Sequence, residues 1–494
     1  MSSVGSILTN QGALEALQSI SNTSTENNTL EQQLSSGLSI NSAADNPAGY
    51  ITAQGFTSQL NGLTQATSNA NQGVSLLQTA QGAITQQISV VQQLNSIAVQ
   101  AANGTETSAE SESLQSVVSQ LTSQVSTISS QTQFNNVSLL NGNFSNVQFQ
   151  VGANEGQTIS LSIGNTSASN IGMNTASVTT AGIFGTATGV NASSASGAVT
   201  TGAPGSAVGA FTAGNVSWTS DNGGTGSATV KAGESAASIA SAINGTSGTT
   251  GVEAQASTSI TLSATAGTAA GATGFQFKLA GSANGGAVTI DAANTSDLVS
   301  QINGSTGSTG VTAALNSSGD VVLTQAQGQN IDITGTTAGS LSTLGATPTT
   351  ISAGGAASAT IQGQVQFQSS AGFQVANGSA IGVTSGQSTT LSLANINVST
   401  VAGANQAINV VKFALQGLNN QAGQLGATQQ RLTATINNLS TTSENITSAL
   451  GVVQDANIPA VSNSLTQAQI QAQAGVAALK SSTTLQQSYL SLLP

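Results

Sequence analysis

The two ends of the chain share one hydrophobic pattern, and the stretch between them carries another. Positions spaced alternately three and four apart read Leu60, Leu63, Thr67, Ala70, Val74, Leu77, Gln81, Ile84, Ile88, Val91, Asn95 and Ala98. The same spacing returns as Ile408, Val411, Leu415, Leu418, Ala422, Leu425, Gln429, Leu432, Ile436, Leu439, Ser443, Ile446, Leu450 and Val453. Seams this long predict extended helices packed along their length, so that segments hundreds of residues apart share one rod. The large aliphatic members, from Leu63 to Val91 and from Leu415 to Leu439, are the rod-packing candidates. Residues 6–38 read as another helix, with Leu14, Leu17, Leu30, Leu34 and Leu38 on an interrupted stripe. Breaker residues then lead to Pro47, which suits a first helical turn. The long helix stops near Asn103-Gly104-Thr105, and caps and acids in Ser108–Ser113 predict a third helix carrying Leu114, Val118, Leu121, Val125 and Ile128.

Beyond Phe134 the period changes to two. Val147, Phe149 and Val151 alternate, a Gly-rich break follows, and Ile159, Leu161 and Ile163 alternate in turn, which predicts a β-hairpin. From about Gly172 to Gly403 the chain is rich in Gly, Ser, Thr and Ala, with short apolar strands between turn residues. A repeat lies within it: VKAGESAASIASAIN from Val230 and IDAANTSDLVSQIN from Ile290, each followed by a turn, Thr-Gly-Val and a further strand. The unit is a strand, a short helix and two strands, duplicated at a period of about 60 residues. Thr175 to Ala207 and Thr347 to Ser358 read as flexible connectors. The fold class expected is mixed α and β and multidomain. Both termini form a long α-helical coiled-coil core with a small β-hairpin, and β-rich outer domains are inserted in the middle.

Composition removes several function classes. Charged residues make up 4% of the 494, against about 25% in ordinary soluble proteins. The five basic residues are Lys231, Lys278, Lys412, Arg431 and Lys480. Nucleic acid and anionic membrane surfaces both require more cations than that. There is no cysteine, so disulfide and thiol chemistry are absent. No run of about 18 apolar residues is present to insert in a membrane. The start, MSSVGSILTNQG, lacks the features of a cleaved secretory signal. With neither His nor Cys, Ser/His/Asp and Cys/His mechanisms are ruled out, and no catalytic residue, cofactor site or metal site is expected. Glu106, Glu110 and Glu112 read as a solvated helix start rather than a calcium site. Trp218 reads as core of the outer region.

Four amino-terminal stretches carry a family resemblance: LEQQLSSGLSINSAADNPAGY, LTQATSNANQGVSLLQTAQGAI, QTQFNNVSLLNG and VQFQVGANEG. At the carboxyl end, the run from Ala427 to Ser482 and the closing LSLLP carry it too. Together, over roughly residues 1–170 and 400–494, they resemble bacterial flagellin, the structural protein of the flagellar filament. The resemblance implies a self-polymerising subunit used in swimming. Residues 1–42 and 457–494 would form a terminal helical inner core. Residues 43–172 and 403–456 would form an α-helical rod with the hairpin. Residues 173–402 would form a variable outer region, its two Ile-Asn-type repeats at about 228–262 and 287–324. Leu14, Leu17, Leu30, Leu34, Leu465, Leu479, Leu490, Leu492 and Leu493 are then the candidate self-assembly residues. The implied partners are further copies of the chain, the flagellar cap, hook-filament junction proteins, an export chaperone and the type III export apparatus. The implied location is extracellular, reached without a cleaved signal peptide. The alternative is a hook-filament junction protein or surface adhesin sharing flagellin's termini.

This sequence departs from the family's pattern in its charges. Many flagellins carry basic residues where this chain has Gln33, Ser39, Ala44 and Gln93, and often arginine where it ends in Pro494. The resemblance also implies an innate immune receptor surface at Gln92 to Gln100, where an expected arginine is Gln93 and an expected glutamate is Val117.

Overall fold

A computed structural model describes residues 10–103, 106–176, 190–192, 211, 213–231, 234–269, 272–281, 286–316, 318–343, 350–352 and 358–490. In chain order its helices are α1 (Gln11–Ser36), α2 (Pro47–Ala101), α3 (Ser108–Gln131), α4 (Ala236–Asn244), the single turn α5 (Ser247–Thr250), α6 (Thr295–Gly304), the single turn α7 (Thr306–Thr309), α8 (Val401–Gln454) and α9 (Ile458–Leu490). Local chemistry sets their ends. Asn10 caps α1 by accepting the Ala13 N–H at 2.9 Å, and Gly37 closes it in the left-handed conformation. Thr107 and Glu110 form a reciprocal capping box at the start of α3. The connectors expected at Thr175–Ala207 and Thr347–Ser358 lie mostly outside the described residues.

The chain forms two compact units. The first comprises residues 1–78, 145–162 and 425–494. Here the early part of α2 packs against the late part of α8, with Leu63, Ala66 and Leu439 buried together and Ile446 against them. Gly73 permits the close approach: a Cβ there would lie 3.1 Å from Leu432 Cδ1 and 3.5 Å from Phe149 Cδ1. The hairpin pairs Val147–Gln150 with Thr158–Leu161, Val147 facing Leu161. It is tied to α2 by Asn69 Nδ2, which donates to the Gln150 carbonyl at 3.1 Å.

The seam of α2 differs from the sequence expectation at alternate positions. Buried along one stripe are Leu63, Ala66, Ala70, Gly73, Leu77, Ala80, Ile84, Gln87, Val91, Leu94, Ala98 and Ala101, and Ala53, Leu76 and Val90 are buried as well. Leu63, Ala70, Leu77, Ile84, Val91 and Ala98 are therefore seam residues, but their companions stand three residues later, not four. Thr67, Val74, Gln81, Ile88 and Asn95 are half-buried flank positions. Val74 and Ile88 outweigh Gly73 and Gln87 on a hydrophobicity scale, yet Gly73 lets Leu432 approach closely and Gln87 is held inside by hydrogen bonds. In α8 a strict seven-residue repeat is buried or nearly so, through Ala404, Val411, Leu418, Leu425, Leu432, Leu439 and Ile446, with Leu415 and Ile436 half-buried beside it.

The second unit comprises residues 79–144 and 163–424. Gln87 is fully buried on α2, and its Nε2 donates to the carbonyls of Val125 on α3 (3.1 Å) and Thr166 (3.2 Å). Its Oε1 has no partner. Gln87→Leu keeps the volume but removes two buried hydrogen bonds, against the relief of one orphaned oxygen. A loss of about 1–3 kcal/mol follows, read as a lower urea midpoint for loss of helical circular dichroism.

Outside the helices of this unit, the two largest sheets are antiparallel. One runs Val311–Leu315, Val321–Gln325, Val252–Thr265, Gln364–Ser369, Gly172–Thr175 and Thr389–Ser392, and the other centres on Ala272–Gly281 and Ile331–Ala338. A smaller sheet pairs Gly214–Ser220 with Thr225–Val230 and Phe373–Ala376. Two cores result. One contains α4 residues with Trp218, Phe367 and Phe373, and the Trp218 and Phe367 rings meet edge to face at 5.5 Å. The other gathers Phe275, Phe277, Leu298 and Ile302.

The Ile-Asn repeat has a physical basis. Ile243 and Ile302 are buried anchors at the ends of α4 and α6. The adjacent asparagines clasp a strand ten residues downstream. Asn244 Nδ2 donates to the Ala254 carbonyl at 2.9 Å, and the Ala254 N–H donates back to Oδ1 at 2.7 Å. Asn303 does the same with Ala313, both bonds at 2.8 Å. Asn303→Ala is expected to cost about 1–3 kcal/mol. Hydrogen exchange should rise at the Ala313 amide and stay unchanged at Ala254, because each clasp serves its own module.

Candidate assembly surfaces

The terminal helices pair within the first unit. Asn10 Nδ2 donates to the Ser482 carbonyl at 3.4 Å, and the Ser482 hydroxyl donates to Asn10 Oδ1 at 3.2 Å. At the other end Leu38 bridges Asp455 in antiparallel sense, and the Ser39 N–H donates to the Gln454 carbonyl. Between these clasps Ile20 meets Gly475, where a Cβ would come within 2.9 Å of Ile20 Cγ1. Gly475 thus allows a close helix crossing. The sheltered positions of α1 are Ala13, Ala16, Ile20, Thr23, Asn27 and Leu30, and those of α9 are Val461, Leu465, Ala468, Ala472, Gly475, Leu479 and Ser482. Both sets follow the three-and-four spacing of a helical pair.

The candidate residues from the sequence divide between two faces. Leu30, Leu465 and Leu479 are half-buried in the seam. Leu14 (60% exposed), Leu17 and Leu34 stand on the open side of α1. Leu490 is the last residue of α9, and Leu492 and Leu493 lie outside the described residues. Sequence reasoning missed Ile470 (61% exposed), Val476 and Leu485, which are exposed on α9. On α9 the stripe Leu465, Ala468, Ala472 and Leu479 is the one its spacing predicts, whereas on α1 the seam residues Ala13, Ala16 and Ile20 were missed. The available signal was their spacing, since Ala13, Ala16 and Ile20 keep the helical period.

Electrostatics are sparse. Among the described residues one ion pair forms, Lys412 Nζ to Glu253 Oε2 at 2.8 Å, with both side chains solvent-exposed. Asp45 is held below the ordinary carboxylate value by backbone N–H donors of Ser42 and Asn41. Glu110 is lowered by the backbone and hydroxyl of Thr107. Burial raises Asp332, opposed by a hydrogen bond from the Thr360 hydroxyl at 2.6 Å. Among the described residues no group of three acidic side chains gathers in a way that could hold a metal ion.

Comparison with known proteins places these helices in a family. The model of the bacterial flagellin N-terminal helical region matches residues 7–145, and that of the C-terminal helical region matches 408–493. A B-type flagellin of Pseudomonas aeruginosa is 33% identical over 506 residues, covering 98% of this chain and 99% of that protein. The chain belongs to the bacterial flagellins. A flagellin of Xenorhabdus nematophila is 37% identical over 172 residues, 35% of this chain and 55% of that one. The solved structure of FliC from Burkholderia pseudomallei covers 73% of this chain and 99% of its own at 22% identity, with a TM-score of 0.31. This flagellin is a structural subunit of the bacterial flagellar filament, in which its terminal helices are the family-defining part.

Proposed function

We propose that this flagellin polymerises through the faces that its paired termini leave open. The observation that carries this is the pair of apolar sets off the α1–α9 seam: Leu14, Leu17 and Leu34 on α1, and Ile470, Val476 and Leu485 on α9. Covering each large side chain contributes about 1.5–3 kcal/mol. In this reading residues 1–42 and 457–494 form the inner core, 43–172 and 403–456 the rod, and 173–402 the outward region. Polar contact between copies rests on hydroxyls and amides, each worth about 0.5–1.5 kcal/mol net. Export through the type III apparatus, with a chaperone, and growth beneath a cap beyond the junction proteins complete the proposal. The chain has no cysteine, so Leu17→Cys supplies a unique probe. Its thiol should react quickly with maleimide in the monomer and slowly in the filament. Equal rates in both states would refute burial of this face.

A further expectation concerns the innate immune receptor for flagellins. Gln93 is exposed on α2 and Val117 is 42% exposed on α3, so neither supplies the charge expected of a receptor contact. Loss of a charged contact at an interface centre commonly costs about 2 kcal/mol or more. Monomer in a reporter-cell assay should therefore be weaker than a flagellin carrying both charges at matched dose.

A further inference from the structure

Eight Asn-Gly pairs occur in the chain. Each sets a backbone nitrogen beside a side-chain amide carbon that it can attack, and glycine has no Cβ to hinder the approach. The fold separates them by what it does with that nitrogen and that amide. Two pairs, ending in Gly104 and Gly285, lie outside the described residues. Asn61-Gly62 is locked inside α2, and the amides of Asn244 and Asn303 are held at both ends by their strand clasps. The Gly223 N–H donates to the Ser220 carbonyl at 2.8 Å, and the Gly378 N–H to the Ser385 hydroxyl at 3.0 Å. Asn141-Gly142, in the second unit, is restrained in none of these ways. Among the described residues the Gly142 N–H has no partner, and Gly142 and Asn143 are exposed beside half-buried Asn141. These three residues form an arch between two fixed posts. Buried Leu140 accepts the Ser129 hydroxyl at 2.7 Å and the Thr166 N–H at 2.9 Å on its carbonyl, and the carbonyl of buried Phe144 accepts the Ile163 N–H at 2.8 Å. Asn141 Oδ1 accepts the Asn143 N–H at 3.1 Å, so a donor already sits on the oxygen that would gain negative charge during attack. Glycine is required at 142, where φ is +87° and a Cβ would come within 3.0 Å of Asn165 Cβ. The arch therefore demands the residue that makes its neighbour reactive.

We propose that Asn141 is a self-modification site, converted in the folded protein to aspartate and isoaspartate. The Gly142 nitrogen gives its proton to solvent hydroxide and bonds to Asn141 Cγ. The Cγ–Nδ2 bond breaks, ammonia leaves with a proton from water, and a succinimide ring closes. Water then opens the ring at either carbonyl. Opening at Cγ gives aspartate, whereas opening at the main-chain carbonyl gives isoaspartate, in which the backbone runs through the side-chain methylene. Water is the one reactant consumed. Each event adds one negative charge to the net −12 of the chain. Isoaspartate also lengthens the arch by one carbon between posts that the Leu140 and Phe144 bonds hold in place.

The full chain is aged as folded monomer at neutral pH, digested with pepsin in acid, where the reaction is slow, and sampled by peptide mass spectrometry. A protein isoaspartate methyltransferase labels the isoaspartate product. The peptide holding Asn141 should gain the mass of an NH2-to-OH exchange about tenfold faster than those holding Asn222 and Asn377, the factor imposed by first breaking one hydrogen bond to the glycine N–H. In concentrated urea, which removes the fold, the three rates should converge. Asn141→Gln, whose attack would need a larger ring, should abolish the early signal and leave the other peptides unchanged. Equal rates at Asn141 and Asn222 in the folded chain would overturn the proposal. So would a gap that persists in urea, because the neighbouring sequence and not the fold would then set it. A mass change at Asn141 with no methyltransferase label would mean direct hydrolysis of the amide, and the succinimide route would fail.

Discussion

A chain ending before Val461 stays soluble and forms no filaments. The deletion removes nearly all of α9, which spans Ile458–Leu490. It takes away Leu465, Ala468, Ala472 and Leu479, which shelter one face of α1, together with exposed Ile470, Val476 and Leu485. What remains is a lone amphipathic α1, stripped of its partner and of half the surface proposed to meet other copies. Most helical stability in proteins comes from tertiary packing of an amphipathic face, and the deletion removes the partner of that face. Several large apolar side chains at about 1.5–3 kcal/mol each make the loss of assembly complete rather than partial. Sedimentation and electron microscopy of the truncated chain provide the check. Filaments of normal length would defeat the two-ended assembly. An internal deletion within residues 173–402, which leaves both ends intact, should still polymerise.

Filaments of this flagellin outlast those of an ordinarily charged flagellin as pH falls from 7 to 2. Acid unfolds most proteins because paired carboxylates have depressed pKa values and their stabilisation disappears as pH falls through them. Here one ion pair is present among the described residues, and such an exposed pair is worth about 0–1 kcal/mol. Asp45 and Glu110 follow the usual sign. Their lowered values mean stabilisation at neutral pH that is lost only as pH drops through values below the ordinary 3.8 and 4.5. Asp332 has the opposite sign. Its raised value means that burial penalises the charged form at neutral pH, and protonation as pH falls relieves that penalty. Complete protonation of the 17 acidic side chains moves the net charge from −12 to about +5 before the termini are counted, so repulsion between packed copies stays modest. Filament length after incubation across this range, measured beside the comparison flagellin, decides the matter. Depolymerisation of both at one pH would show that low charge confers no acid tolerance.

The helices, the hairpin and the duplicated module were legible because each is written in local periodicity. A three-and-four seam, alternation around Val147 to Ile163, and an Ile-Asn pair repeated with its surroundings are properties of the chain alone. Composition likewise excluded His- and Cys-dependent catalysis without reference to shape. Which side of a helix is the seam was not local. Leu63, Leu77 and Ile84 belong to any version of the α2 stripe, but whether their companions are Ala66, Gly73 and Ala80 or Thr67, Val74 and Gln81 depends on what packs against them. Leu432 approaching Gly73, and the Val125 and Thr166 carbonyls accepting from Gln87, settle it for the smaller and the polar residue. The same holds at the ends. The sequence by itself determined that α1 and α9 are amphipathic and belong to a flagellin. Only the tertiary structure decided that small residues and Ile20 fill their mutual seam while Leu14, Leu17 and Leu34 face outward. A helix presents several faces at nearly equal hydrophobicity, and the partner's shape selects among them.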